Sequence, residues 1–228
     1  MSVSARGRLL WYLSEVVEVV SESPRATSLY LDMPGWEGHA AGQHVDVRLT
    51  AEDGCQAQRS YSIASALEDD RLALLVERLE DGEASPYLAG ELRAGDMLEV
   101  RGPIGGWFTW EARDGGPLLL VSGGSGVVPL MAMIRHETAV GSGASVCLLL
   151  SSRSREDAIF GEKIDRLAAR DERLEVFHTL TRSRPEGWRG YARRIDREMI
   201  EEVAPSPEEP PSPSCAAPRR LPSRWPRS

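Results

Sequence analysis

No apolar run in the sequence approaches the roughly 20 residues that a membrane-spanning helix needs. The N-terminal segment from Met1 to Leu10 lacks the apolar core of a signal peptide, so neither a membrane span nor export is expected and the chain is placed in the cytoplasm. Cysteine is scarce. Cys55, Cys147 and Cys215 are odd in number and far apart, which excludes a disulfide framework and a cysteine metal cluster, and no other metal site is expected. The Cys-x4-Cys-x2-Cys spacing of a plant-type iron–sulfur centre is also missing. Positive charge is in deficit: 27 Lys and Arg against 35 Asp and Glu leave a net charge of −8, which argues against a nucleic-acid-binding face. A local basic patch toward an acidic protein partner remains compatible with that balance.

What is present is a globular composition, 41% hydrophobic over 228 residues, enough for two modest domains that each bury a core. The most informative stretch is Arg59-Ser60-Tyr61-Ser62-Ile63-Ala64-Ser65. On a strand, alternation puts Arg59 and Tyr61 on one face and Ser60 and Ser62 on the other. A guanidinium can fork onto a pyrophosphate oxygen, a phenol ring can lie against a flat heterocycle, and a serine hydroxyl or backbone N–H can donate to a ring nitrogen. That combination suits a flavin. The same residues also suit an ordinary half-buried strand.

Alternating stretches over Leu9–Val20, Thr27–Met33 and Gly42–Leu49, and the apolar run Arg71–Leu79, predict further strands. His44 is given no role. Gly82-Glu83-Ala84-Ser85-Pro86 predicts a turn into a short helix with Ser85 as N-cap and Pro86 at the first helical position. Gly82, Ala84 and Ser85 then lie beside free N–H groups suited to a pyrophosphate, although a plain capped helix fits as well. Met97–Arg101 predicts a short strand, followed by a tight loop at Gly102-Pro103-Ile104-Gly105. Many short strands and one short helix predict an antiparallel barrel.

Asp114-Gly115-Gly116-Pro117 marks a hinge. Beyond it, Leu118–Ser122 predicts a buried parallel strand, and Gly123, Gly124 and Gly126 form a glycine turn into a helix that Pro129 opens. A serine-hydrolase elbow is excluded because Val127 stands where Gly-x-Ser-x-Gly requires glycine. Strands at Ser145–Ser151 and Leu174–Thr181, with a helix from about Asp157 to Arg170 between them, predict a parallel sheet. After the second strand of such a domain, here Ser145–Ser151, a dinucleotide site uses an acidic residue for ribose hydroxyls or an arginine for a 2′-phosphate, and in that place stand Ser152 and Arg153. Arg182 and Arg184 end the neighbouring strand. NADP(H) is therefore preferred over NAD(H), although solvated loop arginines are common.

Arg-x-Tyr-Ser, Gly82-Glu83-Ala84-Ser85, Gly102-Pro103-Ile104-Gly105 and Gly123-Gly124-Ser125-Gly126-Val127-Val128-Pro129 follow one another in the order and spacing of the ferredoxin–NADP reductase superfamily, which the chain resembles from about Trp11 to Glu202. The resemblance implies a six-stranded Greek-key barrel holding FAD over residues 8–112, and an NAD(P)-binding α/β domain, incomplete here, over residues 113–204. It also implies a stand-alone monomeric reductase without the fused iron–sulfur domain of many relatives. NADPH would pass a hydride to FAD, and electrons would go singly to a small iron–sulfur or haem partner such as a ferredoxin, or to an oxygenase component. FMN fits less well than FAD because Gly82–Ser85 suits a pyrophosphate. A non-catalytic flavin-binding module, or a defective remnant of such a reductase, is the alternative.

The tail from residue 205 to 228, rich in Pro, Ser and Arg and without periodicity, is read as a frameshift product. Members of the superfamily continue here with an apolar strand ending in Cys-Gly-Pro. A high-GC back-translation of Pro210–Ser228 gives Ala-Leu-Ala-Phe-Val-Cys-Gly-Pro in another frame. On this expectation FAD binding survives, turnover with NADPH is poor or absent, the second domain is unstable, and Cys215 does not replace the cysteine that the family places near the nicotinamide.

Overall fold

A computed structural model describes residues 9–50, 54–79, 81–82 and 84–204, so the segment read as a frameshift product lies outside the described residues. The first half forms six antiparallel strands: β1 Trp11–Ser23, β2 Ala26–Asp32, β3 His44–Thr50, β4 Gln56–Ser62, β5 Leu72–Glu77 and β6 Met97–Ile104. Their order is β4-β3-β6-β1-β2-β5. A bridge between Ile63 and Leu74, with Ala64 N donating to Ala73 O at 2.7 Å, joins the two outer strands and closes the barrel. Inward positions of the alternating strands, among them Val16, Leu29, Leu31, Val45, Val47, Leu74 and Val100, fill its interior.

β6 corrects the expected loop at Gly102-Pro103: the strand runs on through Ile104, which pairs with His44. Gly102 permits this because a Cβ there would stand 2.8 Å from Val45 Cγ1.

The second half is a three-stranded parallel sheet of β7 Leu118–Gly123, β8 Val146–Ser152 and β9 Leu174–Leu180, in the order β7-β8-β9. β8 lies between the other two and is buried along most of its length, as a central parallel strand must be. The helices are α1 Ser85–Gly90, α2 Val127–Val140, α3 Gly161–Ala168 and α4 Arg197–Val203. α3 starts four residues later than the sequence suggests, because Ala158, Ile159 and Phe160 turn into the core and Phe160 takes φ +58° as its N-cap. α4, unforeseen in the sequence, is capped by Asp196, whose carboxylate accepts from Met199 N at 2.9 Å. It lays Met199 and Val203 on Cys147 and Leu149 of β8. Cys147 Sγ donates to Val203 O at 3.0 Å, and burial followed by the Glu175 charge pushes its thiol up to about 12.

One apolar cluster spans both halves. Ala26, Ala41, Ala64, Ala73, Leu75 and Trp110 of the barrel side join Val127, Met131 and Ile134 of α2. Polar links rim the contact: His136 Nε2 accepts from Ala112 N at 3.3 Å while Nδ1 lies 3.0 Å from Glu68, and Arg135 pairs with Asp69 at 3.4 Å.

Candidate active site

β4 is oriented by what lies behind it. Asp46 of β3 is buried and accepts from Ser60 Oγ at 2.6 Å, Gln58 Nε2 at 3.0 Å and Arg101 Nη2 at 2.6 Å. With Gln58 and Ser60 drawn to that carboxylate, alternation sends Arg59 and Tyr61 to the opposite face, opposite Val47 and Val45 in the register. Burial of Asp46 works to raise its pKa, but the hydrogen bonds from Ser60 and Arg101 and the Arg101 charge outweigh it and hold it below the ordinary carboxylate value. Such a group stabilises the fold above its unfolded pKa of about 3.9 and loses that contribution as pH falls through the folded value. Acid unfolding followed by circular dichroism should therefore be less steep below about pH 4 in Asp46→Asn than in the parent chain. Identical acid limbs would assign the acid response to other carboxylates.

Tyr61 is half-buried, and burial pushes its phenol up while the Arg59 charge works against this. The pair thus shares one electrostatic neighbourhood. Arg59 is exposed and spends one donor, Nη1, on Gln58 O at 2.8 Å. Ser62 is half-buried at the end of β4, opposite His44, and its hydroxyl makes no hydrogen bond among the described residues.

Tyr61 packs on the apolar cluster of the barrel interior, to which α1 contributes Ala84 and Leu88. The cap differs from expectation. Ala84, not Ser85, is the N-cap, and Ser85 Oγ turns back to accept from Leu79 N at 3.1 Å. Pro86 is then the second helical residue and offers no N–H, which leaves the backbone donors of Ser85 and Tyr87 in the first turn. A Cβ on Gly82 would stand 2.6 Å from Ser85 Oγ, so this turn admits only glycine without rearrangement.

In the second half, β7 runs into Gly123, a single 3-10 turn over Gly124–Gly126, and α2. Gly124 needs its lack of a side chain at φ +55°, whereas a Cβ on Gly123 or Gly126 would meet its nearest neighbour at an ordinary 3.7 or 3.8 Å. Pro129, third in α2, falls where helix N–H groups have no intrahelical partner and so costs no hydrogen bond. Gly123, Gly124, Ser151, Ser152, Arg153 and Thr181 line a cleft of about 270 Å³ at the C-terminal ends of the parallel strands, where open α/β sheets take their ligands. Arg182 N and Ser183 N donate to Arg153 O at 2.9 and 3.1 Å, so the two arginine loops are joined. Arg153 lines the cleft; Arg182 and Arg184 are exposed outside its lining. Ser152 Oγ is buried without a partner among the described residues, an unmet donor at the mouth of a ligand cleft. The glycine turn, the buried unpartnered hydroxyl and the exposed arginine suit a phosphorylated nucleotide in this cleft.

A model of an oxidoreductase FAD-binding domain matches residues 13–109, and one of an oxidoreductase NAD-binding domain matches residues 120–214, past the Glu202 at which the motif resemblance ends. Ferredoxin–NADP reductase B of Sorangium cellulosum is 36% identical over 173 residues, covering 75% of this chain and 70% of that protein. The chain belongs to the ferredoxin–NADP reductase family. It is an FAD- and NAD(P)-binding oxidoreductase of ferredoxin-reductase type. The ferredoxin reductase component of a 3-ketosteroid-9-alpha-monooxygenase from Mycobacterium tuberculosis is 33% identical, over 73% of this chain and 49% of that protein. Among solved structures, a ferredoxin NADP+ reductase from Neisseria gonorrhoeae with bound FAD and NADP shares the fold, with a TM-score of 0.71 at 20% identity over 84% of this chain and 76% of that one. No helix among the described residues is long and apolar enough to cross a membrane.

Four wall residues of this cleft, Ser23, Arg25, Ala26 and Glu77, come from the barrel, and none of them was singled out by the sequence reading. Nothing in the motifs around Gly123 points to a hairpin a hundred residues earlier.

Proposed function

We propose that the chain takes a hydride from NADPH onto FAD and delivers electrons singly to an iron–sulfur or haem protein, such as a ferredoxin or an oxygenase component. What carries this is the pairing, in one molecule, of the Arg59–Tyr61–Ser62 strand with the nucleotide cleft at Gly123–Arg153. The bound flavin supplies the hydride and single-electron chemistry. Arg59 holds a phosphate of the cofactor, Tyr61 lies against its ring, and Ser62 donates to the ring nitrogen that receives hydride. Ala84 and Ser85 bring backbone N–H groups to its pyrophosphate, while Gly82, whose N–H donates to Leu79 O, and the Ser85 hydroxyl shape the turn. Gly123, Gly124 and Gly126, with Pro129 starting α2, admit the nicotinamide dinucleotide closely, and Arg153 and Arg182 take its 2′-phosphate.

Ser62→Ala is expected to retain FAD and to slow flavin reduction by NADPH about tenfold or more, because a donor to the reacting ring is lost. An unaltered rate at saturating NADPH would remove Ser62 from that role. Arg153→Ala combined with Arg182→Ala is expected to weaken NADPH binding by about tenfold, ~1.4 kcal/mol, and to leave NADH nearly untouched. Equal losses for both nucleotides would show that these arginines do not read the 2′-phosphate.

A further inference from the structure

The nucleotide cleft is completed by a residue from the other half of the molecule. Arg25 lies in the turn between β1 and β2, where Ser23 pairs with Ala26. Its carbonyl accepts from Arg78 N at 2.7 Å, which ties the turn to the end of β5. Its side chain is exposed, has no partner among the described residues, and lines the same cleft as Gly124, Ser152 and Arg153. The Arg153 guanidinium is likewise unpartnered there, its carbonyl being the group that receives Arg182 and Ser183.

Two unpaired guanidiniums on one small cleft repel each other unless an anion lies between them. The wall also holds Glu77 and Asp157. Asp157 is engaged, since its carboxylate accepts from Ser154 Oγ at 2.9 Å. Glu77 sits at the end of β5 opposite Ala26, without an ion pair to either arginine. The unpartnered Ser152 hydroxyl adds a donor at the same place. About 270 Å³ is room for a phosphorylated ribose rather than for a whole dinucleotide.

We propose that Arg25 of the barrel and Arg153 of the parallel sheet together bind the 2′-phosphate of NADP(H), so that both halves of the molecule select the nucleotide; this rests on reading the cleft as the adenosine end of the nucleotide site. The 2′-phosphate carries close to two negative charges at neutral pH and offers three acceptor oxygens, enough for two guanidinium forks and the Ser152 hydroxyl. NADH brings only a ribose hydroxyl to the same place and leaves the two arginines uncompensated.

The test is calorimetric titration of the FAD-loaded full chain with 2′,5′-ADP and with 5′-AMP, neither of which carries nicotinamide, so no turnover enters. The parent chain should bind 2′,5′-ADP more tightly than 5′-AMP. Arg25→Ala should weaken 2′,5′-ADP by about tenfold and 5′-AMP by less than about twofold, with Arg25→Lys recovering part of the loss. Because the Arg25 side chain is exposed and unpartnered, unchanged melting temperatures are expected and serve as the control for folding. Loss of 2′,5′-ADP affinity in Arg153→Ala but not in Arg25→Ala would overturn the role of Arg25 and leave the nucleotide site standing. Equal affinity of the parent chain for the two nucleotides would overturn the NADP(H) reading and the role of Arg25 with it. Equal losses of both nucleotides in Arg25→Ala would place it on the 5′-phosphate and also overturn the proposal.

Discussion

Arg59→Ala is expected to weaken FAD retention by about 2 to 4 kcal/mol, or from about thirty-fold to several hundred-fold, the range of a charge-assisted contact whose phosphate is left buried and unpaired when it is cut. The exposed position of Arg59 points to the lower half of that range, since solvent screens what it loses. Its Nη1 donates to Gln58 O at 2.8 Å, a contact within β4 itself. The fold itself should be indifferent to the change, because β4 is held by its pairing with β3 and by Ser60 and Gln58 on Asp46. Titration of the apoprotein with FAD, followed by flavin fluorescence, gives the affinity directly. An unchanged value in Arg59→Ala would take Arg59 out of the flavin seat.

The second large effect concerns how the two halves are held together. Glu22 of β1 is almost fully buried, its side chain 5% exposed, and accepts from Lys163 Nζ of α3 at 2.5 Å and from Ser28 Oγ at 2.7 Å. Lys163 also lies 3.3 Å from the Tyr30 hydroxyl and 5.7 Å from the centre of the Phe160 ring. Lys163→Met keeps most of the stem but leaves a buried carboxylate with a single hydroxyl donor. The expected cost is about 2 to 3 kcal/mol, below that of a fully buried pair because Lys163 keeps some access to water. The double variant Glu22→Gln with Lys163→Met should recover most of it, since removing both charges ends the desolvation penalty. Urea unfolding measures both. A single variant as stable as the parent would mean that Glu22 reaches water or protonates without harm, and that α2 packing alone joins the halves.

The barrel was legible where alternation is strict. On β3 and β4, apolar Val45, Val47 and Leu49 alternate with polar partners, and the same period put Arg59 and Tyr61 on one face, as the Asp46 hydrogen bonds enforce. β8 was legible because a run such as Val146–Leu150 can only be buried on both faces. Punctuation misled where tertiary packing overrides it. Gly102-Pro103 reads as a turn, yet the glycine is there to let Val45 approach within a continuing strand. Ser85 reads as a cap, yet its hydroxyl is worth more at Leu79, where it closes the Gly82 turn. Asp157 reads as a helix start, yet Ile159 and Phe160 are needed in the core first. Arg25 was illegible for a simpler reason. Its place on the nucleotide cleft arises from docking one half on the other, and no local pattern encodes that contact.

The most direct measurement mixes the FAD-loaded chain with excess NADPH, and separately with NADH, in a stopped-flow spectrometer without oxygen. The visible flavin band should bleach with NADPH, and at subsaturating nucleotide NADH should act more slowly. Flavin that is bound yet stays oxidised with both nucleotides would contradict a working reductase and leave a flavin-holding module or a defective remnant of one.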